Sequence, residues 1–120
     1  MKVPIIILVV LLALFIYLSF TIVKIEGISM HPTFRDGQFV FATRFFNRHR
    51  CKVGGVYVVY LCDEDNGKPH YIIKRLHRVK QINDKTFYYF LGDNYAHSYD
   101  SRQCGYFTPD KVIARVITRK

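Results

Sequence analysis

The chain has 120 residues, with 18 Lys and Arg against 9 Asp and Glu, a formal net charge of +9, and half of its residues are apolar. That length leaves room for one small domain, and Val, Ile, Leu, Phe and Tyr are too abundant throughout for an intrinsically disordered chain. After residue 23 no apolar stretch approaches 18 residues and no heptad pattern is sustained, which excludes a multi-pass transporter and a coiled coil.

Residues 3–23 carry no charge. As a helix rising about 1.5 Å per residue, these 21 residues would reach roughly 31 Å, enough for a bilayer core. The run is longer than the apolar part of a secretory signal, and its end, Leu18-Ser19-Phe20-Thr21-Ile22-Val23, lacks a small-x-small cleavage pattern. We expect residues 1–23 to be one N-terminal transmembrane anchor and residues 24–120, carrying +8, to be a single domain. Lys2 on one side of the run and Lys24, Glu26 and Arg35 on the other give no orientation by charge.

Next comes Ser29, in Glu26-Gly27-Ile28-Ser29-Met30-His31-Pro32-Thr33. Six residues past Val23, it lies within about 20 Å of the end of the anchor. Gly27 permits close backbone approach, and Pro32 biases His31 toward extended geometry. A serine held this way is a candidate nucleophile if a base is supplied; without one it is a turn residue between anchor and domain.

From here the apolar spacing alternates. Residues 38–43, 56–61, 71–79, 86–91 and 112–118 are rich in Val, Ile, Tyr and Phe and read as strands. Asp65-Asn66-Gly67, Asn83-Asp84 and Gly92-Asp93-Asn94 are the turn signals between or after them. No segment after Lys24 has helical spacing, so the domain is expected to be all-β. In the third run, Lys74 shares a strand face with Ile72 and Leu76. If that face packs inward, burial lowers the lysine pKa and makes it a general base; if outward, Lys74 is a snorkelling surface cation. The polar segment from Gly92 to Arg102 contains Ser98, Asp100 and Arg102, a pattern suited to a hydroxyl donor and an ion pair that pins a loop, or to a solvated turn.

Cys51, Cys62 and Cys104 form no Cys-x-x-Cys pair; an oxidising compartment would permit one disulfide, Cys51–Cys62 being one possibility. The five histidines have no zinc-ligand spacing, and neither a metal nor another cofactor is expected. The basic balance fits anionic lipid head groups beside the anchor, with residues 44–52 as the contact region, better than nucleic acid.

Taken together, Ser-Met-x-Pro-Thr just past an anchor, Lys-Arg on an apolar strand, and Gly-Asp-Asn-x3-Ser-x-Asp-Ser-Arg resemble the type I signal peptidase family of membrane-anchored Ser–Lys endopeptidases. The resemblance implies a signal-peptidase-like β fold, Ser29 as nucleophile, Lys74 as general base and Ser98 as the hydroxyl that orients the lysine. It further implies Asp100 and Arg102 as a supporting ion pair, Met30 in the substrate groove, and the Ser29 N–H as an oxyanion donor. The implied substrates are signal peptides of exported preproteins, cut after small residues. The implied location is the plasma (inner) membrane with the catalytic domain on the extracytoplasmic side, or the mitochondrial inner membrane. The sequence departs from the family pattern in four ways. Gly27 replaces a serine found in some members, and Asp36-Gly37 and Gly54-Gly55 stand where Gly-Asp is usual. Leu76-His77-Arg78-Val79-Lys80 replaces Gly-x-Pro-Gly-Asp, and there is no room for a large accessory insertion. A dedicated conjugative-transfer or pilin-processing peptidase of the same clan is the alternative, and a non-catalytic membrane-tethered basic binding module is a third reading.

Overall fold

The computed structural model describes residues 3–117. One apolar helix, α1 (Ile5–Ser19), leads directly into a six-stranded antiparallel sheet. Its strands are β1 (Phe20–Lys24), β2 (Phe39–Thr43), β3 (Val56–Asp63), β4 (Pro69–Ile82), β5 (Lys85–Leu91) and β6 (Val112–Val116), in the spatial order β1-β2-β6-β3-β4-β5. The all-β expectation for the domain holds, with short helical turns added: α2 (Ser101–Cys104) and 3-10 turns at Arg48–Arg50, Tyr95–His97 and Pro109–Lys111.

The expected helix over residues 3–23 is corrected: it stops at Ser19. Residues 20–24 are instead β1, each paired with β2, from Phe20 opposite Thr43 to Lys24 opposite Phe39. Thr21, Ile22 and Val23 are β-branched, and a partner strand favours them extended. The helix end is closed by that partner: Arg44 N–H and the Thr43 hydroxyl donate to Ser19 O at 2.6 and 3.1 Å, and Arg44 Nη1 donates to Leu18 O at 3.1 Å. These bonds satisfy carbonyls that a helix end leaves open. Fifteen residues rise about 22 Å, and among the described residues no helix is long and apolar enough to cross a membrane. The α1 side chains from Ile5 to Leu18 are all exposed.

The sheet is covered on both faces. Residues 56–59 of β3 are all buried, alternating between two apolar clusters. Val56 and Val58 join Val40, Ala42, Ala114 and Val116 under Met30 and Phe34; Tyr57 and Val59 join Ile72, Leu76, Tyr88 and Phe90 under Phe107. Strand β6 contributes to both clusters because its register shifts between Val58↔Ala114 and Val59↔Val112, leaving Ile113 as an extra residue that switches the face of Val112.

Strand β4 positions the site. Its first part pairs only with β3, and β5 joins from Arg75↔Leu91 onward. Residues 69–74 therefore keep one open edge. The motif departure at 76–80 lies where β4 continues, past a bulge at His77, as a ribbon with β5; Asn83 and Asp84, with φ of 51° and 66°, make the two-residue turn expected there. Cys51, Cys62 and Cys104 are free thiols, so the Cys51–Cys62 disulfide is absent.

Candidate active site

The loop between β1 and β2 carries Ser29. Gly27 turns the chain with φ +82°, a conformation favouring glycine, and its N–H donates to Asp36 Oδ1 at 2.8 Å. The next turn is closed by His31 N–H on Ile28 O and Phe34 N–H on Met30 O, both 3.0 Å. Met30, buried in the first cluster, plugs the loop into the core, and its Sδ accepts from Asp93 N–H. Asn94 fixes the loop from the other side, its N–H on Ser29 O at 2.8 Å and Nδ2 on Ile28 O at 3.0 Å.

Lys74 stands on β4 opposite Tyr57, on the face it shares with Ile72 and Leu76. Its residue exposure is 4%, and Nζ lies 2.7 Å from Ser29 Oγ. Burial pushes the ammonium pKa below its ordinary value; the charge of Asp100 and then Cys104 opposes that shift without cancelling it. The neutral amine so favoured is an acceptor within reach of the serine proton.

Asp100 is wholly buried and its carboxylate accepts five hydrogen bonds, one of them from Arg102 N–H at 3.2 Å. Oδ2 accepts from Ser98 Oγ at 2.7 Å, from Gly92 N–H at 2.9 Å and from Arg102 Nη2 at 3.0 Å, while Oδ1 accepts from Arg102 Nε at 2.9 Å. Burial alone would raise this carboxyl, but the bonds from Arg102, Gly92 and Ser98 outweigh it and hold the pKa at about 2. The Arg102 guanidinium also lies 3.9 Å over the Tyr95 ring. The hydroxyl of Ser98, to which the resemblance gives the role of orienting Lys74, donates to Asp100 Oδ2.

A second ion pair was not among the expectations from the sequence. Arg75 Nε and Nη2 grip Asp93 at 2.8 Å each, Nη1 donates to Gly54 O at 2.6 Å, and Asp93 also accepts from the Thr33 hydroxyl. This fork ties β4, the loop before β3, the nucleophile loop and the loop after β5 together beside Lys74. Asp93 belongs to the Gly92-Asp93-Asn94 turn signal, which was the available clue.

Gly92 is required by space. A Cβ there would sit 2.6 Å from Ser98 Cβ and 2.7 Å from Ser29 O. Gly92→Ala is expected to push the nucleophile loop off Lys74 and reduce turnover at least about a hundredfold, since small displacements of reacting groups have costs of that order. A thermal melt alongside the activity assay checks this, and full activity of the variant would refute the packing argument.

A groove of about 660 Å³ runs from the Ser29–Lys74 pair, lined by Val23 from β1 and Ile25 just after it, Tyr71 and Ile73 from β4, and Met30. Ser29, Lys74 and Met30 thus share one cavity wall, while Asp100 and Arg102 brace it from behind. A family model described as signal peptidase, peptidase S26, matches residues 73–119. The matched stretch holds Lys74, Gly92, Ser98, Asp100 and Arg102; Ser29 lies before it. No curated protein matches the chain.

Proposed function

We propose that this chain, whose residues 73–119 match a signal peptidase, peptidase S26, family model, is a membrane-seated Ser–Lys endopeptidase that removes signal peptides from exported preproteins after small residues. The observation that carries this reading is the 2.7 Å approach of a buried, pKa-lowered lysine to a serine held on a braced loop. Neutral Lys74 takes the proton from Ser29 Oγ as it attacks the scissile carbonyl, and the oxyanion is held by the Ser29 N–H. The protonated lysine then gives its proton to the leaving amine. Water, deprotonated by the same lysine, hydrolyses the ester. Gly27 N–H is engaged by Asp36 and does not serve as a second oxyanion donor. No metal or cofactor enters these steps.

Substrate would bind as an added strand. Residues 69–74 of β4 have an open edge and β1 is the outermost strand on its side, so an extended peptide between them gains main-chain hydrogen bonds from both.

Membrane seating is supported by the exposed apolar side chains of α1 and by Phe20, Ile22, Phe39 and Phe41, also exposed, which continue that surface onto β1 and β2. β1 starts at the helix end, so a signal peptide leaving the bilayer meets the groove directly. The plasma (inner) membrane, with the domain extracytoplasmic, is the proposed site, the mitochondrial inner membrane being the alternative. The protein reconstituted in vesicles should cut a panel of preproteins after Ala-x-Ala. Cleavage of one member alone would make it a dedicated conjugative-transfer or pilin-processing peptidase, and cleavage of none would refute the reading.

A further inference from the structure

One residue holds both peptide groups that flank the nucleophile. Asn94 donates from its backbone N–H to Ser29 O at 2.8 Å and from its side-chain Nδ2 to Ile28 O at 3.0 Å. Ile28 O also accepts His31 N–H at 3.0 Å, which closes the turn in which Ser29 is the second residue. Asn94 stands where the 3-10 turn Tyr95–His97 begins, a position at which an asparagine side chain ordinarily caps the turn. It makes no such bond and reaches instead to Ile28, 66 residues away in the chain. Its backbone is itself anchored: His97 N–H donates to Asn94 O at 2.9 Å, and the preceding Asp93 is gripped by Arg75.

The planarity of the peptide links these bonds to the reaction. In a trans peptide the C=O and the N–H point in opposite directions across the C–N bond. Whatever fixes Ile28 O therefore fixes the direction of Ser29 N–H. Ile28 O is directed at Asn94 and His31. The described residues that line the groove include Ser29 and neither of those two. Ser29 N–H is thus aimed away from them, and it has no backbone acceptor among the described residues. This is the donor assigned above to the oxyanion. The bond on Ser29 O fixes the peptide plane on the other side, and with it the relation of that N–H to the Cβ that carries the nucleophile.

We propose that Asn94 is a positioning residue for transition-state stabilisation: its carboxamide aims the Ser29 N–H at the oxygen that becomes the oxyanion. This rests on the peptidase reading above. The donor meets a charge that exists only as the tetrahedral intermediate forms, so its aim affects turnover and not substrate affinity. Losing an oxyanion donor outright costs about a hundred- to a thousandfold in kcat. Asn94→Ala leaves the donor and the His31 bond in place, so the expected loss is smaller, about tenfold. Asn94→Asp should lose about a hundredfold, because it keeps the shape of the side chain but turns a carboxylate oxygen toward Ile28 O, and two acceptors repel.

The test compares wild type, Asn94→Ala and Asn94→Asp as full chains in vesicles, on one preprotein with Ala-x-Ala before the cut. For each, kcat and KM are measured separately across pH, at a temperature where a thermal melt shows all three folded. The expected result is a kcat lower by about tenfold in Asn94→Ala and a hundredfold in Asn94→Asp, with KM unchanged and the rise of activity at the same pH in all three. The unchanged pH separates a misaimed oxyanion donor from a Ser29 displaced from Lys74, and the unchanged KM separates it from a loosened groove. Equal kcat in all three, a loss carried by KM, or a loss that shifts the pH of the rise overturns the role of Asn94 and leaves the peptidase reading standing. If wild type does not cut the preprotein, both fall.

Discussion

Replacing Lys74 with Met, or Ser29 with Ala, should lower cleavage of a preprotein at least about ten thousandfold, because removing either half of a nucleophile–base unit loses the function of both. Met preserves the volume and apolar stem of a side chain that is 4% exposed, so Lys74→Met should fold. It removes a buried amine and leaves no orphaned charge. The double variant should be no worse than either single one, since the two act as a unit. Lys74→Arg should be as inactive as Lys74→Met, because a guanidinium keeps its proton at any working pH. The sign of the pH dependence follows from the required form. The lysine must be neutral to act, so kcat/KM rises with pH through the Lys74 pKa. Burial sets that pKa below the ordinary lysine value, and the rise should occur correspondingly below pH 10.5. An activity profile that falls over this range would contradict a lysine base.

Asp100→Ala should produce the largest loss of stability, about 3–5 kcal/mol, by leaving Gly92 N–H, the Ser98 hydroxyl and Arg102 without their shared acceptor. The pH dependence of stability separates this from simple cavity formation. The folded-state pKa of about 2 lies below the ordinary 3.8. The carboxylate therefore contributes roughly 2–3 kcal/mol that is present above the unfolded-state pKa and lost as pH falls toward 2. Wild type should lose that increment between pH 5 and pH 2 in denaturant titrations, and Asp100→Ala should not. A second effect has the opposite tendency from damage alone. The Asp100 charge holds the Lys74 pKa up against burial, so whatever activity survives in the variant should rise at a lower pH than in wild type.

The site was legible in the sequence where its signal was local. Alternation along residues 72–76 put Lys74 among Ile72 and Leu76, and that face is buried. Ser98, Asp100 and Arg102 fall within one short loop, so their clustering could be read from spacing. What was not legible depends on distant partners. The uncharged run continues through Val23, and pairing with β2 and the bonds from Thr43 and Arg44 end the helix at Ser19. Arg75 reads as a surface cation until the fold brings Asp93, 18 residues on, against it. Gly92 looks like any turn glycine until Ser29 and Ser98 close around it.

The central claim is that Ser29 is made nucleophilic by a neutral Lys74, and trapping the acyl-enzyme tests it most directly. The full chain is incubated with a penem-type serine-acylating agent, digested and mapped by mass spectrometry. The account predicts a single adduct on Ser29, forming faster as pH rises through the lysine transition and absent in Lys74→Met. An adduct on another residue, or undiminished acylation of Ser29 in Lys74→Met, would contradict it.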